Sequence, residues 1–283
     1  MNAYRVLIIG GSSYIGRYLA SKLADKHVVF STYYSHKSNV SSGDAIWLDI
    51  RDSTLVKKVL DAVRPDVVYL LAFSHSDLDG TVIKGASHVI ESAEFHKFRV
   101  IFLSTDAVFS GDKDRYSEKD IPDAINEYGK AKRKAEKTVL EGEGTIVRTS
   151  IVYGFDPMDS RTLRLLRDLQ SGITKTGYFF DEYRSPIFIN DLCNMLIALT
   201  GIDTSRILHM AGPECISRLH FARRLADAFG FDEEQVRSAS LKESGLIRPD
   251  YLCIDSSLAQ SILGCRIRTL EEILEKYIVK KNQ

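Results

Sequence analysis

The sequence predicts a doubly wound α/β fold, with a smaller α/β lobe in its C-terminal half. Three observations carry that expectation. The first half repeats short runs that are apolar almost throughout, such as "RVLII", "DVVYLLA" and "RVIFL". Strands of that kind are buried on both faces, as in a parallel sheet covered by helices. Amphipathic segments of helical length separate the runs, which is the alternation of βαβ units. A glycine turn directly follows the first run, where the first helix must begin.

"RVLIIG" (5–10) is the first predicted strand and "YIGRYLASKLAD" (14–25) the first helix. "HVVFSTYY" (27–34) is the second strand, and a short third extended piece leads into Asp49 of "WLDIRD". "STLVKKVLDAV" (53–63) is a helix entered by Asp52 or Ser53 as N-cap. "DVVYLLA" (66–72) is a strand, the segment around 80–97 a helix, and "RVIFLST" (99–105) the next strand. A helix over 126–141 follows, and "TIVRTSIVY" (145–153) opens with a further strand. From about residue 155 the rhythm breaks. Helices near 160–171, 190–200, 217–229 and 268–280 alternate with short extended pieces at 177–180 and 206–210. The expected division is 1–154 for the first domain and 155–283 for the lobe, with interleaving allowed.

Composition excludes several classes. Lys plus Arg (38) balance Asp plus Glu (38), so no excess charge points to nucleic acid or an anionic membrane. The longest apolar run, "VVYLLAF" (67–73), is far too short to span a bilayer. "VLII" runs straight into glycines and reads as a strand, not a signal peptide. The four cysteines (Cys193, Cys215, Cys253, Cys265) are scattered, with no Cys-x-x-Cys and no histidine spacing. They read as reduced thiols of a cytoplasmic protein, not as a metal site or disulfides.

"IIGGSSYIG" lies between the first strand and first helix, where a phosphate loop belongs. Gly10 and Gly16 frame it, and Ser13 stands at the middle position, small enough for a pyrophosphate to approach the backbone. Ser12 and Ser13 offer hydroxyl donors. The site expected is that of a Rossmann-type dinucleotide fold. An acid at the end of the second strand would favour NAD, but "TYYSHKSN" has none. Ser35, His36 and Lys37 can receive a 2′-phosphate, which favours NADP(H) over NAD(H); a solvated polar loop is the competing reading. Asp49 can accept from the adenine amino group, with Ile50 against the ring, or Asp49 can serve helix entry.

Tyr-x-x-x-Lys occurs four times: Tyr18/Lys22, Tyr33/Lys37, Tyr128/Lys132 and Tyr277/Lys281. Only Tyr128/Lys132 starts a helix after the strand that ends in Thr105, and positions i and i+4 share a helical face. That face can look along the carboxyl edge of the sheet, where doubly wound folds bind ligands. A carbonyl that accepts hydride needs a proton, and a tyrosine with a pKa of about 10 gives it reluctantly. A neighbouring ammonium stabilises the phenolate. Lys132 can also hold a nicotinamide ribose, and Thr105 can polarise the carbonyl. Ser104, one residue earlier on the strand, points the other way.

These motifs, with "STDAVFSG", "YSEKD", "VRTSIVYG", "DEYRSPIFINDL", "ILHMAGPECISRLHFARRLADAFG" and "IRPDYLCIDSSLAQSILG", resemble the extended short-chain dehydrogenase/reductases. Within them the chain most resembles the dTDP-4-dehydrorhamnose reductase family. The resemblance implies Thr105, Tyr128 and Lys132 as catalytic triad. It implies a cofactor site lined by Gly10, Ser12, Ser13, Tyr14, Ile15, Asp49, Ala72 and Phe73. The implied reaction is NADPH-dependent reduction of the 4-keto group of a nucleotide-linked deoxysugar. Related dehydratases carry Thr-Asp-Glu where this chain has Thr105-Asp106-Ala107, which argues against dehydration. An epimerase remains compatible with the triad. So does an NADP-binding regulatory subunit like the β subunit of methionine adenosyltransferase, although a pure binder need not keep all three residues. Arg184 and Arg248 are read as holding the nucleotide diphosphate or positioning the sugar, and equally as surface arginines. Ser74, His75 and Tyr153 are further pocket candidates, His209 a core histidine, and Lys130, Arg133 and Lys134 a solvated helix face. Departures at Ser13, "AFSHSDLDG" and Tyr251 fall around the sugar pocket. Family members often dimerise, so the resemblance makes a homodimer possible, and nothing in the sequence locates an interface.

Overall fold

The computed structural model describes residues 3–172, 177–204 and 206–281, with side chains to 277. Its first half follows the predicted alternation: β1 (Arg5–Ile9), α1 (Tyr14–Leu23), β2 (Val28–Tyr33), β3 (Asp44–Trp47), α2 (Ser53–Val63), β4 (Val67–Leu70), α3 (Gly85–His96), β5 (Arg99–Thr105), α4 (Glu127–Glu141) and β6 (Thr145–Thr149). Asp52, not Ser53, is the N-cap of α2, where it accepts from the Leu55 amide. One π-helical turn, Asp79–Lys84, leads into α3.

The second half contains β7 (Val152–Tyr153), α5 (Ser160–Ser171), β8 (Tyr178–Phe179), β9 (Tyr183–Arg184), β10 (Ile187–Phe188), α6 (Ile189–Thr200), β11 (Ile207–Met210), β12 (Ile216–Ser217), α7 (Arg218–Ala228), β13 (Ser238–Ala239), β14 (Tyr251–Leu252), α8 (Ser257–Leu263) and α9 (Leu270–Lys281). Lys281 of the fourth Tyr/Lys pair lies outside the described side chains.

Seven strands form one sheet in the order β11-β6-β5-β4-β1-β2-β3. The pairs β1–β2, β1–β4, β2–β3 and β4–β5 are parallel. The order reverses between β1 and β4, the switch point at which such sheets open a crevice beyond their carboxyl ends. The extended piece expected at 206–210 in the C-terminal lobe is β11, the edge strand of this sheet.

The chain divides into two compact units. The first runs up to Val108 and takes in Glu127–Arg148 and Cys193–Leu208. The second takes in Phe109–Asn126, Thr149–Leu192 and the residues from His209 on. The first has its own core, in which Leu7, Ile9, Val68, Leu70, Val100 and Phe102 of the strands pack with Val56, Leu60, Val89, Ala135 and Val139 of the helices. Within it α4 is pinned by a buried ion pair, Arg148 Nη2 to Glu136 Oε2 at 2.7 Å. Ser104 Oγ donates to Glu136 Oε1 at 2.6 Å. Removing one partner of such a pair strands a buried charge, so the pair fixes the roll of α4. The second unit has an aromatic-rich core around Tyr153, Phe155, Phe221 and Leu225. No helix among the described residues is long and apolar enough to cross a membrane.

The expectation of four reduced thiols is corrected. Cys215 and Cys253 form a disulfide, whereas Cys193 and Cys265 are free. β9 is the middle strand of a three-stranded sheet between β12 and β14. Cys215 precedes β12 and Cys253 follows β14, so the bond ties the two outer strands across β9. The cysteines stand 38 residues apart and meet only through that sheet, which no local spacing reveals. Closing a loop of that length stabilises by about 4 kcal/mol in the chain-entropy account. Cys215→Ser is expected to destabilise the protein on that scale, read as a lowered denaturation midpoint. A midpoint unmoved by the substitution, and by thiol reductant in the wild type, would contradict the crosslink.

Candidate active site

The loop after β1 is shaped for close backbone approach. Gly10 has φ +95°, and a Cβ there would stand 2.8 Å from the Ala72 nitrogen across the switch point. A Cβ at Gly16 would lie 2.3 Å from the Gly10 oxygen, so loop and helix meet without room for a side chain. Ser13 is the N-cap of α1, and its Oγ accepts from the Gly16 amide at 3.0 Å. Its hydroxyl thus holds the helix start, while its amide donates to the Gly10 oxygen at 3.0 Å. Ser12, Tyr14 and Ile15 are partly buried around this turn. The glycine cradle and the positive end of α1 fit a pyrophosphate.

The residues read in the sequence as an adenosine site follow β2 and β3. Ser35, His36 and Lys37 are exposed after β2. Asp49 is held by Arg51, whose hydrogen bonds keep its carboxyl below the usual carboxylate range. Ile50 is 6% exposed and packs inside the core of the first unit, near Gly85. Most of its side chain is thus engaged in the core.

The helix that starts at Glu127 brings Tyr128 and Lys132 onto one face. Tyr128 is partly buried, with its ring centroid 5.5 Å from that of Phe73 and 5.4 Å from that of His75. Lys132 is 2% exposed and donates from Nζ to the Leu103 oxygen at 2.8 Å. Its Nζ also lies 4.4 Å from the ring centre of Phe102, 5.6 Å from Phe73 and 6.0 Å from Tyr128. Burial pushes the Lys132 ammonium down to about 7, against a smaller opposing pull from Glu136. By contrast, Lys22 of the Tyr18/Lys22 pair reaches Asn194 at an exposed position, and its Nζ is 5.8 Å from the Tyr18 ring centre. The sequence reading did not anticipate the desolvation of Lys132. Lys132 shares the buried side of α4 with Gly129, Ala131 and Ala135.

Thr105 is buried at the end of β5. Its Oγ1 donates to Asp106 Oδ1 at 3.1 Å and accepts from the Ala107 amide at 3.2 Å. Ser104 is committed to Glu136, as described, so the two hydroxyls have different partners. Phe73 is 46% exposed, His75 is exposed, and Ser74 and Ala72 are partly buried. The Ser74 amide donates to Thr81 Oγ1 at 2.9 Å.

In the second unit, Arg184 Nη2 meets Glu182 Oε1 at 2.8 Å and Arg248 Nη2 meets the same oxygen at 3.2 Å. The Arg218 amide donates to the Glu182 carbonyl at 2.8 Å. Burial lowers the Arg218 guanidinium to about 10, Glu182 opposes this, and Arg161, Arg184 and Arg248 add to the lowering. Two guanidiniums, of Arg184 and Arg248, thus share one buried carboxylate, and the Arg218 guanidinium feels the charges of Glu182, Arg161, Arg184 and Arg248, a locally positive region able to take an anion. Arg161 and Arg218 were missed in the sequence, because they open α5 and α7 and converge only in the fold. Tyr153, read as a pocket residue, is 2% exposed and packs against Phe155, Phe188 and Phe221. It is a core residue of the second unit. His209 is fully buried, edge-on to Phe109 at 6.0 Å.

Comparison with known proteins adds a family. The model described as "RmlD substrate binding domain" matches residues 4–282. The dTDP-4-dehydrorhamnose reductase of Aggregatibacter actinomycetemcomitans is 26% identical over 292 residues, covering 92% of this chain and 93% of the relative. Methionine adenosyltransferase 2 subunit beta of Rattus norvegicus is also 26% identical, covering 98% and 89%. Among solved structures, a hypothetical dTDP-4-dehydrorhamnose reductase from Sulfolobus tokodaii superposes with a TM-score of 0.82 at 27% identity, covering 95% of this chain and 97% of that one.

Proposed function

The chain belongs to the RmlD substrate binding domain family, and from that premise we propose that it is an NADP(H)-dependent reductase of the 4-keto group of a nucleotide-linked deoxysugar. The observation that carries the reading is the pairing of Tyr128 with a buried lysine on one face of α4, beside the strand that ends in Thr105. The residues that hold the cofactor are the Gly10–Gly16 turn for the pyrophosphate, Asp49 for the adenine, Ser35, His36 and Lys37 for the 2′-phosphate, and Lys132 for the nicotinamide ribose. Ala72 and Phe73 complete its lining. When bound, the dinucleotide supplies the hydride. Tyr128 donates the proton to the forming alkoxide, and the Lys132 ammonium stabilises the phenolate left behind. Thr105 turns its hydroxyl from Asp106 toward the carbonyl oxygen and polarises it. Ser74 and His75 stand beside Tyr128 as sugar contacts. Arg184 and Arg248 are the residues assigned to the diphosphate or to positioning the sugar. The second relative leaves a dinucleotide-binding subunit as the competing reading, and the retained Thr105, Tyr128 and Lys132 favour the reductase.

The test is a screen of NADPH oxidation against dTDP-, UDP- and GDP-linked 4-keto-6-deoxysugars. Oxidation with one of them supports the reading, and none with any overturns it. Arg248→Ala is expected to raise KM for the sugar nucleotide about tenfold, the scale of a charge-assisted contact, with kcat little changed. Arg248 suits the experiment because it is half-exposed at the edge of the cluster. Removing Arg184 instead leaves the buried Glu182 with a weaker partner. A KM that stays at the wild-type value would remove Arg248 from the substrate site.

A further inference from the structure

Arg51 gathers three segments of the first unit on one guanidinium. Its Nε and Nη2 fork onto Asp49, at 2.8 Å to Oδ1 and 2.7 Å to Oδ2, and its own amide also reaches Oδ1 at 3.0 Å. Nη2 donates to the Tyr34 hydroxyl at 2.8 Å, and the guanidinium carbon lies 5.2 Å from the Tyr34 ring centre. Nη1 lies 3.4 Å from Asp77 Oδ2, and Asp77 Oδ1 accepts from the Gly80 amide at 2.9 Å. Tyr34 stacks on Trp47 at 6.3 Å and 26°, and Trp47 Nε1 donates to the Tyr34 oxygen at 3.1 Å. The two rings are nevertheless 56% and 51% exposed.

We propose that Arg51 is the positioning residue of the adenosine end, and that the Tyr34–Trp47 pair is the flat surface on which the purine rests. The inference rests on the reading that the first unit holds NADP(H). Three geometric facts carry it. Two acceptor positions of Asp49 Oδ1 and one of Oδ2 are taken by Arg51, so one acceptor position remains for an exocyclic amine. Ile50 is packed in the core, so the exposed aromatic pair is the ring surface at the ends of β2 and β3. One guanidinium balances two carboxylates, Asp49 and Asp77. Without it, both repel a dinucleotide, and they repel most the one that carries an extra phosphate.

Trp47 is the single tryptophan of the chain and reports on its own surroundings. The experiment titrates the full-length protein with 2′,5′-ADP, 5′-AMP, NADPH and NADH, following Trp47 emission and, in parallel, heat of binding. In the wild type, 2′,5′-ADP is expected to change Trp47 emission as it saturates. Arg51→Gln is expected to weaken 2′,5′-ADP and NADPH about tenfold, and 5′-AMP and NADH less. Added salt narrows the gap between the phosphorylated and unphosphorylated ligands. In turnover the loss appears in KM for NADPH and not in kcat. Arg51→Lys, which keeps the charge without the fork, is expected to recover the preference for NADPH but only part of the affinity. An unchanged affinity in Arg51→Gln overturns the inference, as does saturation that leaves Trp47 emission unmoved. An equal loss for all four ligands also overturns it, because a purely structural role has that signature. If the wild type binds neither NADPH nor NADH, the underlying reading fails, which is a distinct result.

Discussion

Tyr128→Phe is expected to lower kcat for keto-sugar reduction by about 10² to 10⁴, the usual contribution of a positioned acid. NADPH affinity and KM for the sugar should stay near the wild-type values. The substitution suits the question because it keeps the ring. Phe73 and His75 pack against the ring of Tyr128, and both contacts survive when only the hydroxyl is removed. A loss in kcat therefore reports the proton donor and not the fold. Tyr18→Phe is the matched control, since Tyr18 heads a Tyr/Lys pair whose half-buried lysine turns to Asn194 at the surface. It is expected to leave turnover intact. Equal activity of Tyr128→Phe and Tyr18→Phe would remove Tyr128 from the mechanism.

Lys132→Met is expected to abolish measurable turnover while making the protein more stable at neutral pH. The two effects have one cause. Lys132 is buried among Phe102, Phe73 and Tyr128, and burial holds its ammonium down to about 7 from an ordinary 10.5. A depressed pKa of a base means that the unfolded chain binds the proton more tightly than the folded one. Below about pH 7 both states are protonated, and the folded protein bears the whole cost of a buried charge. As pH rises from about 7 to about 10.5, the folded lysine is neutral while the unfolded one is still charged, so stability rises across that window. The pKa gap corresponds to on the order of 5 kcal/mol. Methionine has a similar unbranched shape and suits an aromatic surround. It leaves the Leu103 oxygen without its Nζ donor, which offsets part of the gain by about 1–3 kcal/mol. The stability difference between variant and wild type, from denaturant melts, should therefore shrink between pH 7 and pH 9. A difference independent of pH would show that the buried ammonium is not the cause.

The same lysine shows where sequence reading stops. Positions 128 and 132 were legible because helical spacing and a preceding apolar strand are local patterns. The glycine turn at Gly10 was legible for the same reason, since a glycine turn after a buried strand is written in consecutive residues. Desolvation of Lys132 was not, because Phe102 and Phe73 reach it from β5 and from the end of β4. The arginine cluster is another product of the fold. Arg184 and Arg248 were singled out in the sequence, but Arg218 comes beside them only because the start of α7 meets Glu182, next to β9. Tyr153 misled for the opposite reason: a tyrosine after a strand looks available until an aromatic core closes over it. The disulfide left no trace in spacing, because its cysteines flank two-residue strands on either side of β9. Arg51 was the nearest miss, standing two residues after an aspartate already singled out.

The central claim is that the first unit carries out hydride reduction of a sugar carbonyl with Tyr128 as the proton donor. Its most direct test is one turnover with NADPH carrying deuterium at the nicotinamide C4, in the presence of a nucleotide-linked 4-keto-6-deoxysugar, with the product read by mass spectrometry and NMR. The account predicts one deuterium on C4 of the sugar in the wild type, and none above background with Tyr128→Phe. Transfer that is equally efficient in Tyr128→Phe would contradict it, and so would a protein that binds NADPH and the sugar nucleotide yet moves no deuterium between them.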